Sequence, residues 1–215
     1  MARILIFGGH GKVALLLEPL LTARGDQVTA VIRDQAQVDD VRATGADPVV
    51  FDVESASEQE MVALITGHDA VVWSAGAGGG SAARTRAVDF EAATRSMAAA
   101  AAAGVPRFVM VSYFGSSPAH GIDPSDPFFA YAEAKAAADE VLRASDLDWT
   151  VLAPSRLTLE APTGRIDATA DASGSVSRAD VAAVIAQTLV EPATRRRTIR
   201  FNAGEVPIDE ALRAV

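Results

Sequence analysis

The sequence predicts an α/β fold, a doubly wound parallel sheet with helices on both faces. Short apolar stretches alternate with amphipathic helical patterns through more than two thirds of the 215 residues, which is typical of such sheets. A glycine turn joins the first strand pattern to the first helix pattern, where a βαβ unit would begin. Neither a repeat nor a linker is visible, so we expect a single domain spanning 1–215.

The first half of the chain supplies four predicted strands. The first, residues 2–7, is almost continuously apolar, as expected for a strand buried on both faces. The helix after it, 12–24, carries apolar residues at helical spacing and is followed by Gly25, a good stop signal. Further strands are expected at 27–33, 47–52 and 69–74, with helices at 38–43 and 58–65.

The second half of the chain continues the alternation. A long helix, 84–103, ends in an unbroken alanine run before Gly104. The next elements are a strand at 107–111, a helix at 128–145 and a strand at 148–152. A capping box, 177–180, precedes a helix at 181–189, and a strand at 198–202 and a helix at 208–214 complete the pattern.

One stretch has no regular pattern. Residues 155–174 are rich in Thr, Pro and Gly, and no strand or helix is expected there. We therefore expect a short C-terminal segment, 155–176, to form a loop that covers the substrate side of the site.

Composition excludes several classes of protein. A net charge of −9 argues against nucleic acid as a partner, because a surface that neutralises phosphates must be basic. There is no cysteine, and the three histidines are far apart, so we expect no metal site. No signal peptide and no apolar run of membrane-spanning length is visible, so we expect a cytoplasmic protein, without a membrane partner, that is a monomer or a homodimer.

The glycine turn is the first candidate site. Gly8, Gly11 and Ala14 give the pattern GxxGxxA, and Gly9, Gly11 and Ala14 give GxGxxA. Both are forms of the dinucleotide-binding fingerprint, in which bare backbone N–H groups and the positive end of a helix face a diphosphate. The alternative is an ordinary structural turn between a strand and a helix.

The end of the second strand bears on cofactor choice. An acidic residue there would bind the ribose hydroxyl of NAD, whereas an arginine would accommodate the phosphate of NADP. Arg33 occupies the strand tip, so we expect NADP (NADPH) to be preferred, with NAD also possible. Asp34 is expected to begin the next turn or to cap it.

Two further strand ends carry residues of interest. Asp52 closes the third strand, where it either accepts a hydrogen bond from adenine or caps the helix that follows. The small residues 75–80 follow the fourth strand and would let the backbone pass close to a ligand, although a flexible loop is the alternative.

A tyrosine and a lysine spaced four residues apart are the candidate catalytic pair. Tyr131 and Lys135 would lie on one helix face, and the chain has only two tyrosines. Reduction of a carbonyl requires a proton donor, and a nearby ammonium group would lower the high pKa of a tyrosine. Ser112, at the end of the fifth strand, is the candidate donor to the substrate oxygen. Amphipathic packing of Tyr131 on the lysine stem is the alternative.

Together, the turn 8–14, the pair Tyr131 and Lys135, and Ser112 resemble the short-chain dehydrogenase/reductase superfamily. The closer resemblance is to its atypical NAD(P)H-binding branch, which includes NmrA-like and NAD-dependent epimerase/dehydratase-like proteins. Supporting stretches extend over most of the chain, at 107–112, 145–152, 177–182 and 206–208. The resemblance implies a Rossmann-type fold and a bound NAD(P).

The resemblance also implies positions for the cofactor. It implies cofactor contacts from the glycine turn near the diphosphate, from the strand tips near the adenosine, and from the small residues under the ribose: Gly8, His10, Gly11, Lys12, Val13, Arg33, Asp52, Val53, Ser74, Ala75 and Gly76. At the nicotinamide end it implies Tyr131 and Lys135, with Pro154, Ser155 and Arg156 along the carboxamide. One departure is Ala153-Pro154, where the family commonly has Arg-Pro.

These features predict an NADP-dependent oxidoreductase that reduces a small carbonyl, quinone or flavin-like substrate by hydride transfer. Tyr131 would be the proton donor, Lys135 would lower the pKa of Tyr131, and Ser112 would orient the substrate. Two alternatives stay open: a non-catalytic NADPH-binding redox sensor, and a nucleotide-sugar epimerase or dehydratase. The segment after the sixth strand is shorter than in the sugar epimerases, which argues against the last of these.

Overall fold

The computed structural model describes residues 1–78 and 81–215. Within them, a nine-stranded sheet forms the centre of the molecule. Its strands, in chain order and with a separate pair included, are β1 (Arg3–Phe7), β2 (Gln27–Ile32), β3 (Asp47–Val50), β4 (Ala70–Trp73), β5 (Arg107–Val111), β6 (Asp148–Pro154), β7 (Arg156–Thr158), β8 (Arg165–Asp167), β9 (Ser175–Ser177), β10 (Arg197–Ala203) and β11 (Val206–Pro207).

The sheet is mainly parallel. Seven strands run in the order β3-β2-β1-β4-β5-β6-β10 with parallel pairing throughout. The short strands β8 and β11 extend the sheet beyond β10 with antiparallel pairing. Strands β7 and β9 form a small parallel pair of their own. The predicted doubly wound parallel sheet is confirmed, and the chain reverses direction across the sheet between β1 and β4.

Helices cover both faces of this sheet. They are α1 (Ala14–Ala23), α2 (Val38–Ala43), α3 (Glu58–Ile65), α4 (Ala82–Thr85), α5 (Ala93–Ala102), α6 (Phe129–Arg143), α7 (Arg178–Thr188) and α8 (Ile208–Arg213). A π-helical segment, Arg86–Ala92, joins α4 to α5, and single 3₁₀ turns lie at Gln35–Gln37 and Pro192–Thr194. None of the helices in the described part of the chain has the length and the apolar character needed to cross a membrane.

The alternation of side chains along β1 divides the core in two. Ile4 and Ile6 pack with Leu17 of α1 on one face of the sheet. Leu5 and Phe7 pack on the other face in a cluster that includes residues of α3 and α5. Both faces of β1 are therefore apolar, as its sequence predicts.

The structure corrects three details of the predicted elements. The stretch 155–174, predicted to be irregular, contains β7 and β8, because three-residue strands leave almost no local pattern. The helix predicted at 84–103 begins at Ala82 and contains the π-helical segment. The helix predicted to start at Lys12 begins at Ala14. Residues 79–80 of the predicted small-residue stretch lie outside the described residues.

Asp52 does not cap α3. Its side chain accepts hydrogen bonds from the Ser55 hydroxyl at 2.6 Å and the Glu54 N–H at 3.0 Å. The cap is Ser57, which forms a complete capping box with Glu60. That alternative for Asp52 is therefore wrong. Asp34 does cap the turn after β2, because its carboxylate accepts from the Ala36 N–H at 2.9 Å.

Candidate functional site

Two cavities lie along the carboxyl edge of the parallel strands. The first, of about 430 Å³, opens beyond the ends of β1, β2 and β4. The second, of about 590 Å³, opens beyond the ends of β5 and β6. The sheet order β2-β1-β4-β5-β6 places these strand ends in a row of about 19 Å, since neighbouring strands lie about 4.8 Å apart. Ligands of open α/β sheets bind at this edge.

The glycine turn lies in the first cavity and packs closely against its neighbours. Gly8 has a φ of +82°, and a Cβ there would lie 2.7 Å from the backbone of Ala75. A Cβ on Gly9 would lie 2.6 Å from the Cβ of Ala30. Both N–H groups donate to the carbonyl of Val31, at 3.1 and 2.8 Å. The glycines therefore let the turn pass between β2 and the loop after β4.

The start of α1 offers free donors next to this turn. The backbone N–H groups of Lys12, Val13 and Ala14 have no acceptor within the described residues, and no side chain caps the helix. Unpaired N–H groups and the helix dipole together attract an anion. The Lys12 side chain is exposed, and His10, which lines the cavity, is hydrogen-bonded to Asp40 at 2.8 Å. The turn thus fits a diphosphate.

The far end of the first cavity is charged. Arg33 lines it, as predicted, with an arginine that the sequence analysis missed, Arg84. The Arg84 Nε donates to a carboxylate oxygen of Glu54 at 3.0 Å, and the Arg33 guanidinium lies 4.0 Å from the same oxygen. Val53 also lines the cavity, whereas Asp52 does not, and the Ser55 hydroxyl holds the pKa of the Asp52 carboxyl below its usual value.

The small residues after β4 form the floor between the two ends. Ser74, Ala75 and Gly76 all line the first cavity. Beneath them lies Asp89, a buried carboxylate in the π-helical segment. One of its oxygens accepts from the Ala77 N–H at 3.1 Å, and the other has no partner in the described part of the chain. A Cβ on Gly76 would lie 3.1 Å from that second oxygen.

Lys135 is fully buried behind this floor. Its Nζ donates to the carbonyl of Val111 at 2.7 Å and approaches the sulfur of Met110 at 3.4 Å. Burial lowers its pKa, while the charges of Asp139 and Asp89 act in the opposite direction. Lys135 lines neither cavity, and within the described residues its ammonium group forms no ion pair with Asp89 or Asp139.

Asp139 holds the serine predicted to orient the substrate. This carboxylate is completely buried, and one of its oxygens accepts hydrogen bonds from the hydroxyls of Ser112 and Ser116, each at 2.5 Å. Ser112 lines the second cavity. Because its hydrogen is donated to Asp139, Ser112 presents lone pairs rather than a donor, which corrects its predicted role as a donor to the substrate oxygen.

Tyr131 lines the second cavity and is half-buried. Its pKa is raised above the ordinary value of a tyrosine, first by burial and then by the negative charges of Asp89 and Asp139. The sequence analysis expected Lys135 to lower this pKa. That expectation is wrong for the structure described, because two buried carboxylates accompany the single ammonium group.

The remaining predicted site residues lie in the second cavity. Pro154, Ser155 and Arg156 line it. Four aromatic residues line it as well: Tyr113, Phe114, Phe128 and Tyr131. The structure therefore distributes most of the predicted residues over two adjacent cavities, whereas Lys12, Val13, Asp52 and Lys135 line neither of them.

Four charged residues of the site were missed by sequence reasoning: Glu54, Arg84, Asp89 and Asp139. Of these four, only Asp139 could have been identified from the sequence. It lies four residues after Lys135, and this spacing puts the two side chains on one helix face. In the described ranges, 1–78 and 81–215, no three His, Asp or Glu side chains are grouped so as to hold a metal ion.

Comparisons with known proteins agree with this geometry. A family model described as NAD(P)H-binding matches residues 8–192. YhfK of Bacillus subtilis, which carries the name of an uncharacterized sugar epimerase, is 34% identical over 98% of this chain and 99% of its own length. The chain therefore belongs to the NAD(P)H-binding family.

Solved structures support the same assignment. A Bacillus halodurans protein, whose name places it among NAD-dependent epimerases/dehydratases, has a TM-score of 0.91 at 30% identity and full coverage of both chains. The oxidoreductase ylbE of Lactococcus lactis has a TM-score of 0.87 at 32% identity, covering 99% of this chain and 96% of its own. The predicted class, an NAD(P)-dependent oxidoreductase similar to short-chain dehydrogenases/reductases, is confirmed.

Proposed function

We propose that this protein is an NADPH-dependent reductase of a small carbonyl, quinone or flavin-like substrate. One observation carries the proposal: a cavity built on a glycine turn and an arginine adjoins, along one sheet edge, a cavity that contains a tyrosine hydroxyl. A dinucleotide laid along this edge would bring its reactive end towards the second cavity.

The residues that would hold the cofactor lie in the first cavity or directly beside it. The free N–H groups of Lys12 and Val13 would bind the diphosphate, and Ser74, Ala75 and Gly76 would lie under a ribose. Arg33 would bind the phosphate that distinguishes NADP from NAD. When bound, NADPH supplies the hydride that is added to the carbonyl carbon of the substrate.

Tyr131 would supply the proton. Its hydroxyl, whose pKa is raised by burial, is protonated at neutral pH and can donate to the alkoxide oxygen that reduction produces, because an alkoxide is a much stronger base than a phenolate. The O–H bond of Tyr131 breaks, the substrate oxygen gains the proton, and the phenolate recovers a proton from water.

A nucleotide sugar fits the second cavity less well. The names of YhfK and of the Bacillus halodurans protein refer to epimerases, so this alternative must be considered. A sugar needs many hydrogen-bond partners, but the serines that line this cavity donate to acceptors inside the protein: Ser112 to Asp139, Ser155 to Asn202 and Ser173 to Ser155. We therefore favour a carbonyl substrate whose body is mostly apolar.

The proposal is tested by titrating purified protein with NADPH and with NADH, following cofactor fluorescence, and then adding a panel of quinones and aldehydes. We expect NADPH to bind more tightly, and Arg33→Ala to remove that preference without weakening NADH. Arg42→Ala is the matched control, since Arg42 is an exposed residue of α2 that lines no described cavity. Absence of NADPH binding would refute the proposal. NADPH binding without oxidation by any member of the panel would favour a redox sensor.

A further inference from the structure

The second cavity has few polar groups for its size. Its volume of about 590 Å³ is within the range of small-molecule sites. The hydrogens of its three serine hydroxyls are donated within the protein. The side-chain donors that remain for a ligand at this lining are the Tyr131 hydroxyl and the Arg156 guanidinium, because the Tyr113 hydroxyl, which also has no partner in the described residues, is buried. A ligand would thus meet one hydroxyl and one positive charge in a largely apolar site.

Three aromatic rings form one wall of this cavity. The ring centroids of Tyr113, Phe128 and Tyr131 lie 5.1 to 5.7 Å apart, and each ring contacts the other two. Phe128 is 43% exposed, a large value for a phenylalanine. An exposed ring supported by two others offers a rigid face on which a flat, conjugated molecule can stack.

Arg156 adds a positive charge at the same cavity. It is the first residue of β7 and is exposed. Arg33 and Arg84 of the first cavity both face the carboxylate of Glu54, whereas Arg156 forms no ion pair within the described residues. A guanidinium group that is not neutralised by the protein is available to a carboxylate on the ligand.

We propose that the second cavity binds a flat, conjugated carbonyl compound that carries an anionic group, with its rings on the wall of Tyr113, Phe128 and Tyr131 and its anion on Arg156. This inference rests on the proposed function, because it names the substrate class of the same site. The carbonyl oxygen would then accept from Tyr131, whose hydrogen has no acceptor in the described residues; the Tyr113 hydroxyl is also without a partner but is buried.

The test uses three probes and three proteins. Binding of anthraquinone carboxylate, its neutral carboxamide and cyclohexane carboxylate is measured calorimetrically, with and without NADP⁺. Wild type is compared with Arg156→Gln and with Arg3→Gln, which makes the same charge change at the start of β1, on the opposite edge of the sheet. We expect the anthraquinone carboxylate to bind about three- to tenfold more tightly than the carboxamide. That preference disappears in Arg156→Gln and persists in Arg3→Gln, while cyclohexane carboxylate binds weakest.

Equal binding of carboxylate and carboxamide to wild type, or a preference that survives in Arg156→Gln, would overturn the inference. Equal binding of the flat and the puckered carboxylate would overturn it as well. The parallel titration with NADPH separates this result from failure of the proposed function. If NADPH binds and is oxidised by neutral quinones while the carboxylate has no advantage, the substrate class is wrong and the reductase proposal stands.

Discussion

The Ser112 hydroxyl donates its hydrogen to the buried carboxylate of Asp139 across 2.5 Å. Because of this contact, Ser112 can only accept a hydrogen bond from a ligand in the second cavity. A second hydroxyl, Ser116, donates to the same oxygen at the same distance but lines neither of the two cavities. The two serines therefore share one structural role, and only one of them faces the proposed substrate.

We expect Ser112→Ala and Ser116→Ala to lower the free energy of unfolding by similar amounts, about 1.5–3 kcal/mol, because each removes one hydrogen bond to a buried charge. Because the Ser112 hydrogen is committed to Asp139, we expect the two variants also to lower kcat/KM by similar amounts. Urea unfolding and NADPH oxidation check the two effects. A much larger loss of activity in Ser112→Ala would show that the Ser112 hydroxyl acts on the substrate directly.

The two tyrosines of the second cavity should differ in their effect on catalysis. Tyr131→Phe should lower kcat by about a hundredfold or more, because the proposed proton donor is lost, while NADPH affinity is retained. Tyr113→Phe is the matched control, because it removes the same hydroxyl from the neighbouring ring of the same wall. Single-turnover reduction under saturating NADPH separates the chemical step from binding. Activity that survives in Tyr131→Phe would show that another group supplies the proton.

The Tyr113 hydroxyl should also be dispensable for folding. It is buried without a hydrogen-bond partner in the described residues, and burial raises its pKa. Removing an unsatisfied buried polar atom relieves a desolvation cost, so we expect Tyr113→Phe to raise the free energy of unfolding by about 1 kcal/mol. The free energy of unfolding of Tyr131→Phe, measured under the same conditions, is the value for comparison. A destabilised Tyr113→Phe would reveal a hydrogen bond that the structure does not contain.

The sequence predicts the architecture well because its signals are local. The apolar run of β1, the glycine turn and the helical spacing of α1 each leave a pattern within a dozen residues. The short strand β8 leaves none, because its three residues depend on pairing with the distant β10 and β11. The π-helical segment could not be predicted either, because its sequence has the same pattern as the α-helical residues on both sides of it.

The same limit applies to the site. Tyr131, Lys135 and Ser112 were found from spacing and strand ends, but their electrostatics depend on Asp89 and Asp139, which come from different helices. A carboxylate in a helical pattern is usually solvated, and nothing local indicates that these two are buried. The expected effect of Lys135 on the pKa of Tyr131 was wrong for that reason.

Glu54 should weaken the preference for NADPH. Its carboxylate lies between Arg33 and Arg84 in the first cavity, where it competes with a bound phosphate for the same cations. We expect Glu54→Gln to tighten NADPH binding about two- to fivefold, since the pairs are partly exposed, and to leave NADH binding almost unchanged. Glu60→Gln, at the cap of α3, is the control for loss of one negative charge. Unchanged NADPH affinity in Glu54→Gln would argue against a phosphate at this position.

Glu18 should make the stability of the fold depend on pH. Glu18 of α1 is completely buried, and burial raises its pKa to about 7, although the Thr44 hydroxyl donates to it at 2.8 Å and acts in the opposite direction. An unfolded glutamate has a pKa of about 4.3, so between that value and 7 the folded protein holds the extra proton. The contribution of Glu18 to the free energy of unfolding is therefore fully present below about pH 4 and is lost as the pH rises to about 7.

This loss amounts to about 4 kcal/mol, given about 1.4 kcal/mol for each pH unit between the two pKa values. Glu18→Gln keeps the acceptor for Thr44 without the charge. We expect it to raise the free energy of unfolding at pH 8 and to change it little at pH 5, as measured by urea unfolding across that range. Glu58→Gln, at an exposed position in the first turn of α3, should show no such dependence. A difference between Glu18→Gln and wild type that does not grow with pH would mean that Glu18 is already ionised in the folded protein at pH 5.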